Sequence, residues 1–257
     1  MKKTCPSCKK QFITERKNKT FCCRPCIYKQ YNDNRPRKTS KSYLLSDKQR
    51  TKHIPQEQVE IILGTLMGDA CLILQTNNFH RMSLCHSEKQ LDYLILKKEL
   101  LNHIFFQKHP NRYVHKENKV QYHFGSISHK DLTNIYGLLY RKKKFISRRY
   151  LNLLTPTSLL FWYMDDGSMI KSSGNAIIFC TDSFSLSENK AIKIWLWQKF
   201  RIQSNLMQVK GSYSDNLYYR IRLNKENTIR FLFILSSSIY FQRAINAIPY
   251  KFCPYYK

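Results

Sequence analysis

Two aspartates, Asp69 and Asp166, stand at matching places in two stretches of the chain that lie 97 residues apart. The first stretch reads ILGTLMGDAC and the second LLFWYMDDGS, so each aspartate follows an apolar, helix-like run and precedes a small residue, Ala70 or Gly167. A carboxylate at the C-terminal end of a helix faces the negative end of the helix dipole, which is unfavourable by about 0.3–1 kcal/mol. Because the chain repeats this unfavourable placement, the two carboxylates are expected to serve chemistry rather than stability.

The chemistry that two such carboxylates offer is the binding of a divalent cation. Two carboxylates at close range repel each other, and the pKa of one rises unless a positive charge lies between them. Mg²⁺ accepts a few carboxylate oxygens together with water and phosphate oxygens. Placed beside a phosphodiester, such an ion activates water and neutralises the charge that develops. The repeated pattern therefore predicts a metal-dependent nuclease centre, whereas a single GDA or DDG is more often an ordinary helix end.

For the two carboxylates to meet, two helices must pack side by side with their C-terminal ends together. The second run has clear start signals, since Thr155 can cap a helix and Pro156 suits the first helical position. In the first run Gly64 and Gly68 are four residues apart and hence on one face of a helix. Glycines there let another backbone approach closely. We expect the two motif helices to contact each other along this face.

The periodic patterns that follow each motif repeat in the same order. The first half offers a strand at 81–87, a helix at 89–101, strands at 112–115 and 120–126, and a helix at 130–140. The second half offers a strand at 176–182, a helix at 187–200, strands at 207–210 and 218–223, and a helix at 226–235. This order predicts an α+β unit used twice, with halves at 54–150 and 151–257.

The charge of the chain predicts a polyanionic partner. The sequence carries 44 Lys and Arg against 17 Asp and Glu, a net charge of +27, and such a surface attracts nucleic acid or an anionic membrane. No apolar run in the sequence approaches the roughly 18 residues of a membrane span, and the start MKKTCPSCKKQ lacks the apolar core of a secretory signal. We therefore expect nucleic acid and no membrane.

Five of the nine cysteines lie within the first 26 residues. Cys5, Cys8, Cys22 and Cys26 form a C-x₂-C…C-x₃-C pattern, and Cys23 with Cys26 is the rival second pair. Four thiolates in two pairs suit tetrahedral Zn²⁺. A module of about 30 residues buries too little surface to fold without such a metal. Residues 1–30 are therefore predicted to be a zinc-binding module.

Cysteine usage and charge also indicate a compartment and a linker. An odd, clustered set of cysteines argues against a secreted disulfide framework and favours an intracellular, reducing compartment. Residues 1–53 contain 16 Lys and Arg against 3 Asp and Glu. Residues 31–53 read as a basic linker, and the whole segment is interpreted as a DNA clamp, with a structural cap or a partner contact as alternatives.

At this point the motifs resemble a known family. ILGTLMGDA and LLFWYMDDG are similar to the two signature motifs of LAGLIDADG homing endonucleases, and specifically of the branch with two motifs in one chain. LTPTSLLFWYMDDG and FCTDSFSLSE resemble the segments around the second motif in that branch, and the similarity spans about residues 55–253. The resemblance implies two αββαββα halves related by pseudo-twofold symmetry. It also implies that the motif helices lie at the centre and that two curved antiparallel sheets form a saddle on DNA.

The resemblance also implies roles for individual residues. Asp69 and Asp166 would hold divalent metal, Mg²⁺ or Mn²⁺, whereas Asp165 takes the place of Gly68 and is a less favoured ligand. The family places a basic residue near each aspartate. RKKKFIS, at 141–147, resembles a Lys-x-Ile-Pro element and indicates Lys144, with Lys143 as the alternative because a serine stands where proline is usual. PYKFCP resembles a Tyr-Lys-Leu-Pro element and indicates Lys251.

Two predicted strands carry candidate DNA contacts. In YYRIRL, Arg220 and Arg222 share one face of the strand, and in VQYHFGS, Gln121 and His123 do so. In the major groove Arg reads guanine and Gln reads adenine, so these side chains are predicted to contact double-stranded DNA with a long target site. A solvated sheet face is the alternative.

The predicted function is that of a site-specific homing endonuclease that makes a double-strand break by metal-dependent phosphodiester hydrolysis. One chain carries both halves of the centre, so a monomer is expected. An intron RNA maturase on the same scaffold is the first alternative, with intron RNA as its partner. A non-catalytic DNA-binding protein is the second.

Overall fold

The computed structural model describes residues 1–15, 19–23, 25–26, 48–114, 119–170, 175–210 and 217–252. The chain divides into two compact units, Met1–Lys48 and Gln49–Lys257. Most of the predicted basic linker at 31–53, residues 117 and 118 of the turn that the sequence places near 117–119, and the turn at 211–216 lie outside the described residues. The finer division of the chain into four segments stays a prediction.

The first unit contains a small antiparallel hairpin. Strand β1 (Lys2–Thr4) pairs with β2 (Gln11–Ile13). Between the strands the chain makes a tight turn, because Cys5 N–H donates to the carbonyl of Lys10 and Lys9 N–H donates to the carbonyl of Cys5, both at 2.9 Å. Lys9 has a φ of 60°, in the left-handed region. The hairpin thus presents the CPSC segment at its bend.

The second unit repeats one series of elements. Its first half consists of α1 (Gln56–Met67), β3 (Cys71–Leu74), β4 (His80–Ser87), α2 (Leu91–Leu100), β5 (Asn111–Val114), β6 (Val120–His129), α3 (Lys130–Leu139) and α4 (Arg148–Leu153). Its second half consists of α5 (Pro156–Asp166), β7 (Gly167–Ile170), β8 (Ala176–Phe179), α6 (Leu186–Phe200), β9 (Asn205–Lys210), β10 (Leu217–Leu223), α7 (Lys225–Ser236) and α8 (Phe241–Ala247). No helix in the described ranges is long and apolar enough to cross a membrane.

Each half forms one four-stranded antiparallel sheet. The strand orders are β3-β4-β6-β5 and β7-β8-β10-β9, so the two halves have the same topology. This confirms the αββαββα repeat that the family resemblance implied. The periodicity argument missed the short helices α4 and α8, and it also missed the strands β3 and β7. Both strands have four residues, CLIL and GSMI, with no alternation of apolar and polar side chains.

The motif helices α1 and α5 pack side by side in the centre of the core. Thr155 caps α5 by accepting a hydrogen bond from Ser158 N–H, and Pro156 opens the helix, as predicted. A Cβ atom on Gly64 would lie 2.1 Å from the carbonyl oxygen of Ser158, and one on Gly68 would lie 2.4 Å from Asp165 Cβ. The two glycines therefore permit the close helix contact that their spacing predicted, and it brings the C-terminal ends of the helices together.

Candidate active centre

The two predicted metal-binding aspartates lie at the C-terminal ends of the paired helices. Asp166 is the last residue of α5, and its carbonyl accepts a hydrogen bond from Cys180 N–H at 3.0 Å. Asp69 lies two residues beyond the end of α1, with 41% of its side chain exposed. Its backbone N–H donates to Asp165 Oδ2 at 3.4 Å. The helix pairing thus brings residues of both motifs to one place.

Burial and neighbouring negative charge raise the pKa of both predicted metal-binding aspartates. Burial, together with the negative charges of Asp165 and Asp69, raises the pKa of Asp166 to about 8. Burial and the charge of Asp165 also raise the pKa of Asp69 above its ordinary value. Both shifts mean that the folded chain resists holding these carboxyls ionised, even though nearby lysines oppose the rise in pKa. The crowding of the acids therefore fits a divalent metal site.

Each of the two predicted lysines contacts the C-terminal end of one motif helix. Lys144 Nζ donates to the carbonyl of Gly68 at 2.7 Å, and Lys251 Nζ donates to the carbonyls of Met164 and Asp165, the latter at 2.9 Å. These contacts satisfy carbonyls that a helix leaves without partners at its C-terminus. Burial lowers the pKa of both lysines, and the nearby aspartates oppose that shift.

Sequence reasoning missed a buried network beside the aspartates. Lys97 Nζ lies 2.7 Å from Asp165 Oδ1, and both side chains are fully buried. His86 Nδ1 lies 3.6 Å from Asp69 Oδ2, and His86 Nε2 lies 4.0 Å from Asp165 Oδ1. Ligand atoms of Asp69, His86 and Asp165 all lie within 4.8 Å of one another. Asp165, the less favoured ligand in the sequence, is therefore part of the centre.

One sequence signal for His86 existed. In β4 the alternate residues Met82, Leu84 and His86 are buried, so the last of them is a polar side chain on an apolar face. Burial and the charge of Lys97 lower the pKa of His86 to about 4. The imidazole is therefore neutral near pH 7 and retains a nitrogen lone pair.

Arg220 and Arg222, the predicted DNA contacts on β10, lie on the face of the second sheet that points away from the core. The residues that alternate with them, Ile221 and Leu223, are buried in the core. Arg220 forms a two-pronged ion pair with Asp182, with Nε–Oδ1 at 2.7 Å and Nη2–Oδ2 at 2.6 Å. Arg222 lies opposite Asn205 and Ile178 in the sheet. Arg220 is thus held in a fixed direction by an acid 38 residues away in the chain.

The predicted DNA contacts on β6 are half-buried. His123 Nε2 lies 2.8 Å from Ser83 Oγ, and burial and the charge of Arg81 lower the pKa of this histidine. Gln121 Oε1 accepts a hydrogen bond from Cys85 Sγ at 3.6 Å. Both side chains therefore lie on the face that carries Ser83 and Cys85 of the neighbouring strand.

In the first unit the four predicted zinc ligands come together. The Sγ atoms of Cys5, Cys8, Cys22 and Cys26 all lie within 4.8 Å of one another, with Cys8–Cys22 at 3.5 Å and Cys22–Cys26 at 3.6 Å. Two thiolates bound to one tetrahedral Zn²⁺ are about 3.8 Å apart, so the donor set fits zinc. Cys23, the alternative ligand, is exposed and lies 3.5 Å from Cys26.

Comparison with known proteins identifies one family. The model of the LAGLIDADG DNA endonuclease family matches residues 59–231. "Probable intron-encoded DNA endonuclease 3" of Mycosarcoma maydis is 33% identical over 98 residues, which are 36% of this chain and 71% of that protein. DNA endonuclease I-ChuI of Chlamydomonas applanata is 25% identical over 192 residues, which are 66% of this chain and 84% of that protein.

Other similarities are partial or concern the fold. Protein RecA of Mycolicibacterium flavescens is 36% identical over 126 residues, which are 47% of this chain and 28% of that protein. The chain therefore spans less than a third of the length of that relative. The structure of the homing endonuclease I-WcaI bound to its DNA recognition sequence matches with a TM-score of 0.67 and 18% identity, over 80% of this chain and 91% of that chain. At that identity the match shows a shared fold.

Proposed function

Because the chain belongs to the LAGLIDADG DNA endonuclease family, we propose that it is a site-specific homing endonuclease. It breaks both strands of a DNA target by metal-dependent hydrolysis of phosphodiester bonds. The observation that carries the proposal is the acidic cluster at the ends of the two paired helices: Asp69 of the first motif lies beside Asp165 of the second, and its charge helps to raise the pKa of Asp166. One chain supplies both halves of the centre, so it acts as a monomer.

The residues at the helix ends suit a divalent cation such as Mg²⁺ or Mn²⁺. Asp69 and Asp166 would hold it, with His86 and Asp165 close by. When bound, such an ion activates water and neutralises charge on the phosphate. Lys144 and Lys251 have a different task, since their ammonium groups are fixed by backbone carbonyls at the two helix ends. They keep positive charge where negative charge develops during cleavage.

The rest of the chain supplies DNA binding. The net charge of +27 favours a long duplex target, and the outer sheet faces with Arg220, Arg222, Gln121 and His123 are the proposed recognition surface. If about ten phosphates are neutralised, log affinity falls with log salt at a slope of about −9. The cysteine cluster of the first unit would hold Zn²⁺ and act as an auxiliary DNA clamp in an intracellular, reducing compartment.

The experiment is cleavage of a supercoiled plasmid that carries the target. A gene interrupted next to the coding sequence supplies that target in its rejoined form. Wild type with Mg²⁺ or Mn²⁺ should linearise the plasmid. Asp69→Asn and Asp166→Asn should slow cleavage by about 100-fold or more, because each removes a charged oxygen that holds the metal. Asp92→Asn, at an exposed acid of α2, is the matched control and should cut like wild type.

Binding measurements complete this test. Both motif variants should still bind the target duplex when metal is absent, since the recognition surface is untouched. If both variants cut like wild type, the assigned centre is wrong. Tight binding of intron RNA by a wild-type chain that never cuts DNA would support the maturase alternative instead.

A further inference from the structure

A buried ion pair joins the two halves at the candidate active centre. Lys97 lies on α2 of the first half, and Asp165 lies on α5 of the second, one residue before Asp166. Their charged atoms are 2.7 Å apart and both side chains are 0% exposed. Lys97 Nζ also lies 4.3 Å from the centre of the Tyr93 ring. The ammonium is therefore enclosed by a carboxylate and an aromatic face.

Asp165 links this lysine to other groups of the centre. Its Oδ1 pairs with Lys97, and its Oδ2 accepts the backbone N–H of Asp69 at 3.4 Å. Its carbonyl oxygen accepts a hydrogen bond from Lys251 Nζ at 2.9 Å. The first motif has Gly68 at the equivalent position, and a Cβ there would lie 2.4 Å from Asp165 Cβ. The carboxylate thus fills the contact between the helix ends and leaves no space for a second side chain.

Stability alone does not explain such a pair. A buried ion pair usually contributes little to folding compared with well-packed apolar residues, because both charges lose their hydration. Removing one partner, in contrast, leaves the other charge buried and uncompensated. A chain that needed only a packed helix contact could use a small residue here, as the first motif does with Gly68.

We propose that Lys97 is a positioning residue for the cleavage reaction. By pairing with Asp165, it holds this carboxylate against the backbone N–H of Asp69 and so fixes the first motif's aspartate relative to Asp166. The proposal rests on the proposed endonuclease function. Lys97 is fully buried, so it acts through Asp165.

The test is a double-mutant cycle with Lys97→Met and Asp165→Ala, and Lys98→Met in the same helix as the matched control. The first readout is amide hydrogen exchange of Asp69 in the metal-free protein. Each single variant should speed this exchange at least tenfold, and the control should not. The second readout is the single-turnover rate of DNA cleavage, which should fall at least tenfold in each single variant while metal-free DNA affinity stays within about twofold of wild type.

The double variant decides whether Lys97 acts through Asp165. Once Asp165 is alanine, Lys97→Met should change neither the Asp69 exchange nor the cleavage rate further. An equal loss of rate in both backgrounds would overturn the proposal, and so would wild-type exchange at Asp69 in Lys97→Met. If Lys97→Met alone does not fold, the same decision comes from Asp165→Ala, because wild-type exchange and rate in that variant overturn the proposal.

The two readouts also separate this proposal from the proposed function. If wild type fails to cut with Mg²⁺ or Mn²⁺, the endonuclease function fails. Faster exchange at Asp69 in Lys97→Met would then still support the positioning contact. If wild type cuts but the exchange at Asp69 does not respond, the positioning contact fails and the endonuclease function stands.

Discussion

Gly64→Ala tests whether the helix contact that brings the two motifs together is as close as the structure places it. The added Cβ atom would lie 2.1 Å from the carbonyl oxygen of Ser158 and 2.8 Å from its carbonyl carbon. A carbon–oxygen contact is normally about 3.3 Å or longer. The helices α1 and α5 would therefore have to separate by about 1 Å, because a backbone carbonyl cannot rotate away as a side chain can.

The expected effect follows from two opposing contributions. Overpacking of a core typically destabilises by about 1–3 kcal/mol, occasionally more, and a clash with backbone belongs at the upper end. Alanine in place of glycine within a helix stabilises by about 1 kcal/mol. The net loss should be about 2 kcal/mol or more. For a unit of the size of Gln49–Lys257, this lowers the midpoint of thermal unfolding by roughly 4–8 °C.

Gly137→Ala is the matched control for this prediction. Gly137 also lies within a helix, α3, but apart from the helix's own backbone no atom of the described residues lies within 4 Å of a Cβ at that position. The same change should therefore stabilise the protein there, by about 0.5–1 kcal/mol. Thermal unfolding followed by circular dichroism measures both variants. If Gly64→Ala is as stable as Gly137→Ala, the helices do not pack as described, and the meeting of the two motifs loses its structural basis.

Three further predictions concern the chemistry. Because folding raises the pKa of Asp166 from its ordinary value near 4 to about 8, this carboxyl should contribute stability to the metal-free protein that is lost as the pH rises from about 4 to 8. The lowered pKa of His86 acts in the opposite direction, so the contribution is measured as the difference in thermal unfolding in EDTA between wild type and Asp166→Asn; a difference that does not change with pH would contradict it. Lys144→Met and Lys251→Met should each slow cleavage by about 10-fold or more with metal-free DNA affinity retained; unchanged single-turnover rates would refute their role. The purified chain should carry one zinc per molecule by elemental analysis, and Cys8→Ser should remove it and weaken DNA binding; a zinc-free wild type that binds DNA equally well would contradict this.

The elements of the candidate site that could be predicted from the sequence are those that short segments of the chain specify. The motif helices and their close contact could be predicted from short segments, whereas Lys144, with Lys143 as its alternative, and Lys251 were indicated by the resemblance to the family. The glycine spacing was informative because Gly64 and Gly68 have a steric meaning that does not depend on distant residues. The assignment of catalytic roles to these residues stays a prediction that the experiments above address.

The parts that could not be read depend on contacts between distant segments. Lys97 and Asp165 are 68 residues apart, and α5 is buried on every side, so no apolar stripe indicated which way Asp165 points. Helical spacing places Lys97 on the face of α2 that carries the buried Tyr93 and Leu94, but this spacing does not show which acid the lysine meets. The strand sequence around Arg220 gave no sign of its ion pair with Asp182, which the structure shows. Such pairings follow from the topology of the folded chain.

The ion pair between the halves limits how this protein can be recombined. Equal topology suggests that one half could be exchanged for a relative's half to create an enzyme with a hybrid target. A second half that carries Asp165, however, needs a first half with a lysine at the position of Lys97. Without that lysine, a buried carboxylate is left without its partner between the two halves. Compatibility of halves therefore depends on this buried pair as well as on the recognition surface, and a design would have to transfer both residues together or replace both.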